Sequence, residues 1–197
     1  LGPGTNQHYD EPDAAKLKEN IEGTKAFLQL SHDIGATGVK VKPNSFHEGV
    51  DRNKTIEQIG KSLNEVGKFA GDLGQEIRVE VHGSCCELPT MKAIFDIADN
   101  PNVAMCWNSN DQDLNGEGLD YNFNLVKDRF GATAHIRELN VGDYPYQQLM
   151  DNFVAMDYDG WVLLECRTKI DDGVKALTEQ RELFSTMVKN GQMKIKA

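Results

Sequence analysis

The sequence predicts an α/β fold of parallel strands and crossover helices that closes as a (β/α) TIM-type barrel. Three observations carry this. First, strand-like and helix-like segments alternate strictly along the chain, which implies parallel strands with a helix in each return. Second, strands recur about every 26 to 40 residues, the length of one βα unit. Third, the strands alternate apolar and ionisable residues, as in Val39-Lys40-Val41-Lys42, Ile77-Arg78-Val79-Glu80-Val81-His82 and Ala134-His135-Ile136-Arg137. Successive side chains point to opposite faces. A doubly wound sheet buries both faces and reads as continuous apolar runs. A barrel has an inner face that carries polar groups near its C-terminal mouth. No GxGxxG follows a first strand, so nothing supports a dinucleotide site.

The elements follow in order. The segment before Pro12 is the end of a strand. A helix runs from Pro12 or Asp13 to Asp33, carries Leu17, Ile21 and Leu28, and stops near Gly35, with Pro12 in its first turn. A strand is predicted over Gly38 to Lys42. The helix from Lys54 to Leu73 has apolar residues at Ile56, Ile59, Leu63, Val66, Ala70 and Leu73, one stripe on one face, and Gly74 caps it. Strands are predicted at Ile77 to His82, Val103 to Asn108, Thr133 to Arg137 and Trp161 to Glu165. Helices are predicted at Leu88 to Ala98, Asp120 to Phe130, Tyr146 to Met156 and Asp172 to Lys189, the last ending before Gly191.

The chain has 197 residues, 39% hydrophobic and 26% charged, and no linker or composition break, so one domain over 1–197 is expected. A full eight-stranded barrel takes ~250 residues. Five strands and the end of a sixth suggest a barrel lacking its first two or three strands in this chain, with the natural protein longer, or the remainder disordered or supplied elsewhere. No apolar run is long enough to span a bilayer, and residues 1–8 do not read as a secretory signal. The net charge of −10 argues against nucleic acid and anionic membranes as partners. Cys85, Cys86, Cys106 and Cys166 have no metal-type or disulfide-framework spacing, which fits reduced thiols and a cytoplasmic location.

Polar residues stand at the C-terminal ends of four strands: Glu80, Asn108, His135 and Glu165, at intervals of 28, 27 and 30 residues. Equivalent strand ends in a barrel face one mouth. Two carboxylates, an imidazole and an amide oxygen converging there suit Mg²⁺, Mn²⁺ or Zn²⁺. Two carboxylates on opposite sides of a substrate can also remove and return a proton at carbon, while the metal polarises the adjacent carbonyl and stabilises an enediolate. Read singly, Glu80 and Glu165 are solvated strand-end carboxylates and His135 is a core histidine. His82 reads as a group behind the site or as a substrate contact. Lys42, Arg137 and Arg167 read as ion-pair partners or as groups that favour a phosphorylated or acidic substrate. The segments 6–10 and 44–48 read as mouth loops, and 108–111 as a polar loop after a strand.

Five segments together, Gly38–Pro43, Val79–Gly83, Asn102–Asn110, Ala134–Leu139 and Gly160–Glu165, resemble the sugar phosphate isomerase/epimerase family with the xylose isomerase-like TIM barrel. The resemblance covers about residues 1 to 190. It implies a divalent metal (manganese, magnesium, zinc or cobalt) held by Glu, Asp, His and Glu at successive strand ends. Glu80, His135 and Glu165 match three of these. Asn108 stands at the Asp position, and Asp111 stands where the family often has His. The resemblance also assigns the acid/base roles to Glu80 and Glu165, and Lys42, His82, Asp111, Arg137 and Arg167 are the expected substrate contacts.

The expected function is metal-dependent isomerisation or epimerisation of a sugar or sugar phosphate by proton transfer next to a carbonyl. A dehydratase or lyase on a sugar or inositol derivative and a non-catalytic sugar-binding barrel are the alternatives. An endonuclease IV-like DNA repair enzyme shares the barrel, but it needs extra His and Asp ligands and a basic face. The expected partner is a small-molecule sugar, with assembly into a homo-oligomer left open.

Overall fold

The structure, a computed structural model, describes residues 1–195, so the last two positions of the domain expected over 1–197 lie outside the described residues. Six parallel strands form one sheet in the order β1-β2-β3-β4-β5-β6, each strand beside its sequence neighbour. They are β1 Gly4–His8, β2 Gly38–Lys42, β3 Glu76–Glu80, β4 Val103–Asn108, β5 Phe130–Ile136 and β6 Trp161–Leu164. The helices are α1 Ala14–Asp33, α2 Arg52–Asp72, α3 Leu88–Ile97, α4 Leu119–Val126, α5 Tyr146–Ala155 and α6 Gly173–Ile195. The sheet is an arc of a (β/α) barrel. Among the described residues β1 and β6 are its edges and do not pair with each other. No helix described is long and apolar enough to cross a membrane. The four cysteines are free thiols.

The alternation in the strands sorts the two faces. Val39, Val41, Ile77 and Val79 are fully buried in the core with the α2 residues Ile59, Leu63, Val66 and Ala70. Lys40, Arg78 and Glu80 project from the other face. Arg78 is buried at the floor of the arc, where its Nε donates to Glu76 Oε1 at 2.6 Å and its Nη2 to Thr37 Oγ1 at 2.8 Å. Burying a guanidinium is tolerable only with such partners.

Capping residues set the helix starts. The Asp13 carboxylate accepts from the Ala15 and Lys16 amides, so Pro12 lies ahead of the cap and outside the first turn. Asp51 caps α2 through a single bond, accepting from the Lys54 amide. Gly74, in the left-handed region at φ 63°, follows the end of α2 as predicted.

Several boundaries shift from the sequence reading: α2 begins two residues before Lys54, β3 stops at Glu80 and leaves His82 in the following loop, β5 stops at Ile136, and β6 stops one residue before Glu165. Two differences are larger. The helix expected over Asp120 to Phe130 stops at Val126. A 3₁₀ turn follows over Lys127–Arg129, and Phe130 already begins β5, three residues before Thr133. Tertiary contacts take these residues from the helix. Arg129 donates to the carbonyls of Phe95, Ala98 and Val103, and Phe130 joins an aromatic cluster with Trp107, Phe123, Phe153 and Tyr158. The second difference is α6, which runs through Gly191. That glycine is buried where α6 crosses α5; a Cβ there would lie 3.2 Å from Val154. It is a close-approach residue, not a stop signal.

Candidate metal centre and substrate mouth

Glu80 and Asn108 are the last residues of β3 and β4, His135 is the penultimate residue of β5, and Glu165 is the first residue past β6. Registry aligns them: Glu80 pairs with Cys106, Asn108 with His135 and His135 with Leu163. The Glu165 amide donates to Ile136 O at 2.7 Å, which continues the ladder by one residue. Glu80, His135 and Glu165 each offer a ligand atom within 4.8 Å of the others.

Asn108 adjoins the group through Glu80. Its Nδ2 donates to Glu80 Oε1 at 3.3 Å, while its Oδ1 is buried with no hydrogen-bond partner. An unpaired buried acceptor is costly unless something electropositive meets it. Two carboxylates, an imidazole and this free amide oxygen are a donor set that fits a divalent cation of the Mg²⁺, Mn²⁺ or Zn²⁺ type.

Glu80 is buried and ionised. Burial would raise its carboxyl, but His135 and Lys40 override this and hold it at about 2. His135 Nδ1 lies 3.3 Å from Glu80 Oε1, and Lys40 Nζ pairs with Glu80 Oε2. His135, in contact with the Cys106 sulfur and the Glu80 carboxylate, is pushed up to about 10. Glu165 is more open, and Arg167 Nη2 lies 3.4 Å from its Oε2.

The expected substrate residues fall into two groups. Asp111, Arg137 and Arg167 line one cavity of about 240 Å³ with Tyr144 and Tyr146. Arg137 Nη2 donates to Asn110 Oδ1 at 3.4 Å, while its Nε is buried and unpartnered. Asp111 is exposed in a 3₁₀ turn after β4. Lys42 and His82 stand on another side of the mouth and do not line this cavity. Lys42 ends β2 opposite His8. His82 has a buried, unpartnered Nδ1, and burial together with Lys42 lowers its pKa.

Several residues were missed by sequence reasoning. Lys40 is one, although the alternation on β2 puts it on the same face as Lys42. Glu138 is another. It is buried just past β5, and its Oε1 accepts from Cys166 Sγ (3.1 Å), the amides of Arg167 (2.9 Å) and Thr168 (2.7 Å), and Thr168 Oγ1 (2.7 Å). One carboxylate thus anchors the loop that begins at Glu165. Residues 6–8, expected in a mouth loop, belong to β1, and Asp10 just past that strand does the same for the loop at 44–48. It is buried and accepts from His8 Nδ1 (2.5 Å), His47 Nε2 (2.9 Å) and the Ser45 amide (3.0 Å). No local pattern marks these residues, because each acts mainly on partners about 30 or more positions away, the His8–Asp10 contact being the local exception.

A parallel (β/α) arc with a carboxylate–imidazole–carboxylate cluster at its strand C-termini defines a class of barrel protein. The chain belongs to the xylose isomerase-like TIM barrel family, whose model matches residues 3–186. No protein of curated function matches the sequence significantly. Solved structures match at low identity. An L-ribulose 3-epimerase superposes with a TM-score of 0.84 at 14% identity, covering 99% of this chain and 75% of that one. The 3-keto-D-glucoside 4-epimerase YcjR from E. coli gives 0.79 at 14%, covering 93% and 77%. The D-psicose 3-epimerase from Clostridium cellulolyticum H10, with D-tagatose, gives 0.69 at 14%, covering 97% and 74%. At such identity the likeness establishes the fold.

Proposed function

We propose that the chain is a metal-dependent sugar isomerase or epimerase that moves a proton at the carbon next to a carbonyl. The observation that carries this reading is the convergence of Glu80, His135 and Glu165 within 4.8 Å beside the unpartnered Asn108 Oδ1. In this reading Glu80, Asn108, His135 and Glu165 hold a divalent ion of the manganese, magnesium, zinc or cobalt type. When bound, that ion polarises the substrate carbonyl. Glu80 and Glu165 form the acid/base pair: one takes the proton from carbon and the other returns one. Lys42, His82, Asp111, Arg137 and Arg167 contact the polar groups of the sugar. The similar structures include epimerases of ketoses and of a keto-glucoside, which supports a small polyhydroxylated carbonyl substrate.

Elemental analysis of the wild type against Glu165→Ala tests the metal site. About one divalent ion per chain, lost in the variant, is expected. Incubation with ketoses in deuterated water tests the chemistry, with deuterium expected at the carbon beside the carbonyl. The absence of exchange with every ketose would count against the enzyme reading. One observation favours a second reading, a non-catalytic sugar-binding barrel: both Glu80 oxygens already have side-chain partners, Lys40 on one and Asn108 and His135 on the other. That reading predicts sugar binding that does not depend on metal and survives Glu165→Gln.

A further inference from the structure

We propose that Lys40 is a built-in competitor of the metal: its ammonium and a divalent cation contend for the Glu80 carboxylate, so Lys40 sets the metal affinity of the site. This rests on reading Glu80, His135 and Glu165 as a cation site, and adds how that site is regulated.

The geometry of β2 and β3 carries the inference. Lys40 lies on the inner face opposite Arg78, two residues below Glu80 on the neighbouring strand. Its stem passes over Gly4, its register partner on β1, where a Cβ would lie only 3.1 Å from Lys40 Cε. The four-carbon chain therefore has a clear track toward the mouth, and its Nζ ends on Glu80 Oε2. Arg78, the nearest other cation on β3, does not share that carboxylate, because Glu76 and Thr37 hold it.

The charges then decide what a metal meets. Each glutamate has a basic partner, Lys40 for Glu80 and Arg167 for Glu165. Asn108 offers an oxygen without a charge. The carboxylates that would neutralise a divalent ion are thus already compensated. The two basic partners differ in kind. Arg167 is a loose, half-exposed contact at 3.4 Å. Lys40 sits on a carboxylate that is only 3% exposed, where Coulomb interactions are screened least. Lys40 itself is 24% exposed, so its ammonium can withdraw from Glu80 into the open mouth without being buried elsewhere. Lysine suits such an exchange: it is a point charge on a flexible stem, and it has no fixed fork geometry to lose.

Calorimetric titration of the metal-free chain with Mn²⁺ tests this in wild type, Lys40→Met, Lys40→Gln, Lys42→Met and Glu165→Ala. Lys40→Gln keeps a hydrogen-bond donor for Glu80 while removing the charge, so it covers the case in which Lys40→Met does not fold. The expected result is Mn²⁺ binding about tenfold or more tighter in the Lys40 variants, with Lys42→Met close to wild type. A folded Lys40 variant that binds Mn²⁺ no more tightly than wild type, or not at all, overturns the proposal. So does an equal gain in Lys42→Met, because the effect would then be net charge. Glu165→Ala reports on the underlying reading. If it binds Mn²⁺ as tightly as wild type, the metal lies elsewhere and the site reading fails, whatever Lys40 does.

Discussion

Single buried carboxylates organise the mouth, and two of them, Asp113 and Glu138, stand at opposite electrostatic extremes. Asp113 is fully buried; its Oδ2 accepts from the Asn110 amide at 2.9 Å and the Tyr144 hydroxyl at 2.7 Å, while its Oδ1 has no partner. Burial outweighs these bonds and raises its carboxyl from 3.8 to about 7. The folded state therefore holds a proton that the unfolded state releases, so this residue makes stability fall as pH rises from about 4 through 7. Asp113→Asn should flatten that slope, by an amount of order 3 kcal/mol across the window. Urea melts of both proteins at pH 4.5 and 8 measure it, and parallel pH dependences would refute the assignment. Glu138 is the opposite case. Burial works against ionisation, but the bonds from Thr168 and Cys166 hold it at about 2. Glu138→Ala removes the acceptor that anchors residues 166–168, a loss of about 2 kcal/mol. It should also weaken Mn²⁺ binding through Glu165, and Glu138→Gln, which keeps an acceptor oxygen, should recover part of both. Unchanged Mn²⁺ affinity in a folded Glu138→Ala would mean that the loop does not position Glu165.

The elements fit because small residues let them approach. Gly60 on α2 faces Ile97 on α3, where a Cβ would lie 2.6 Å from the Ile97 Cβ. Gly60→Val must push the helices apart and should cost about 2 kcal/mol or more. Thermal melts would show it, and an unshifted midpoint would mean that the crossing gives way freely. Such contacts explain which parts of the fold were legible. The strands β2 and β4 were read to the residue, because Val39, Val41 and the apolar run at 103–107 report their own burial. The strand β1 was visible only as an end, because Gly4-Thr5-Asn6-Gln7-His8 has no apolar residue and owes its strand form to pairing with β2. Phe130 and Gly191 misled because aromatic packing and a helix crossing, both tertiary, decide their roles. The strand-end quartet was legible from spacing, since βα units place equivalent residues at one height. Lys40 was not, because only the β2–β3 register shows which inward lysine reaches Glu80.

At the scale of the whole fold, the arc of the described residues has two strand edges, β1 and β6, and an apolar flank. Trp161 on β6 is 62% exposed, and Val174 and Leu177 on α6 are 80% and 60% exposed. An unpaired strand edge beside exposed apolar side chains favours pairing with another chain. The core is nonetheless continuous from Tyr9 to Phe153, which supports the proposal that the chain folds as one domain. Thermal unfolding at low concentration should accordingly show one transition, coincident by tryptophan fluorescence and circular dichroism. Trp107 is buried in the core and Trp161 lies at the edge, so separate fluorescence midpoints for Trp107→Phe and Trp161→Phe would reveal an independent β6–α6 unit. The same exposed edge predicts where two chains would meet. Sedimentation velocity should show association that grows with concentration in the wild type. Trp161→Lys, which places a charge on the edge strand, should weaken that association at least fivefold while leaving the melting midpoint within a few degrees. Equal association in both would move the interface away from β6.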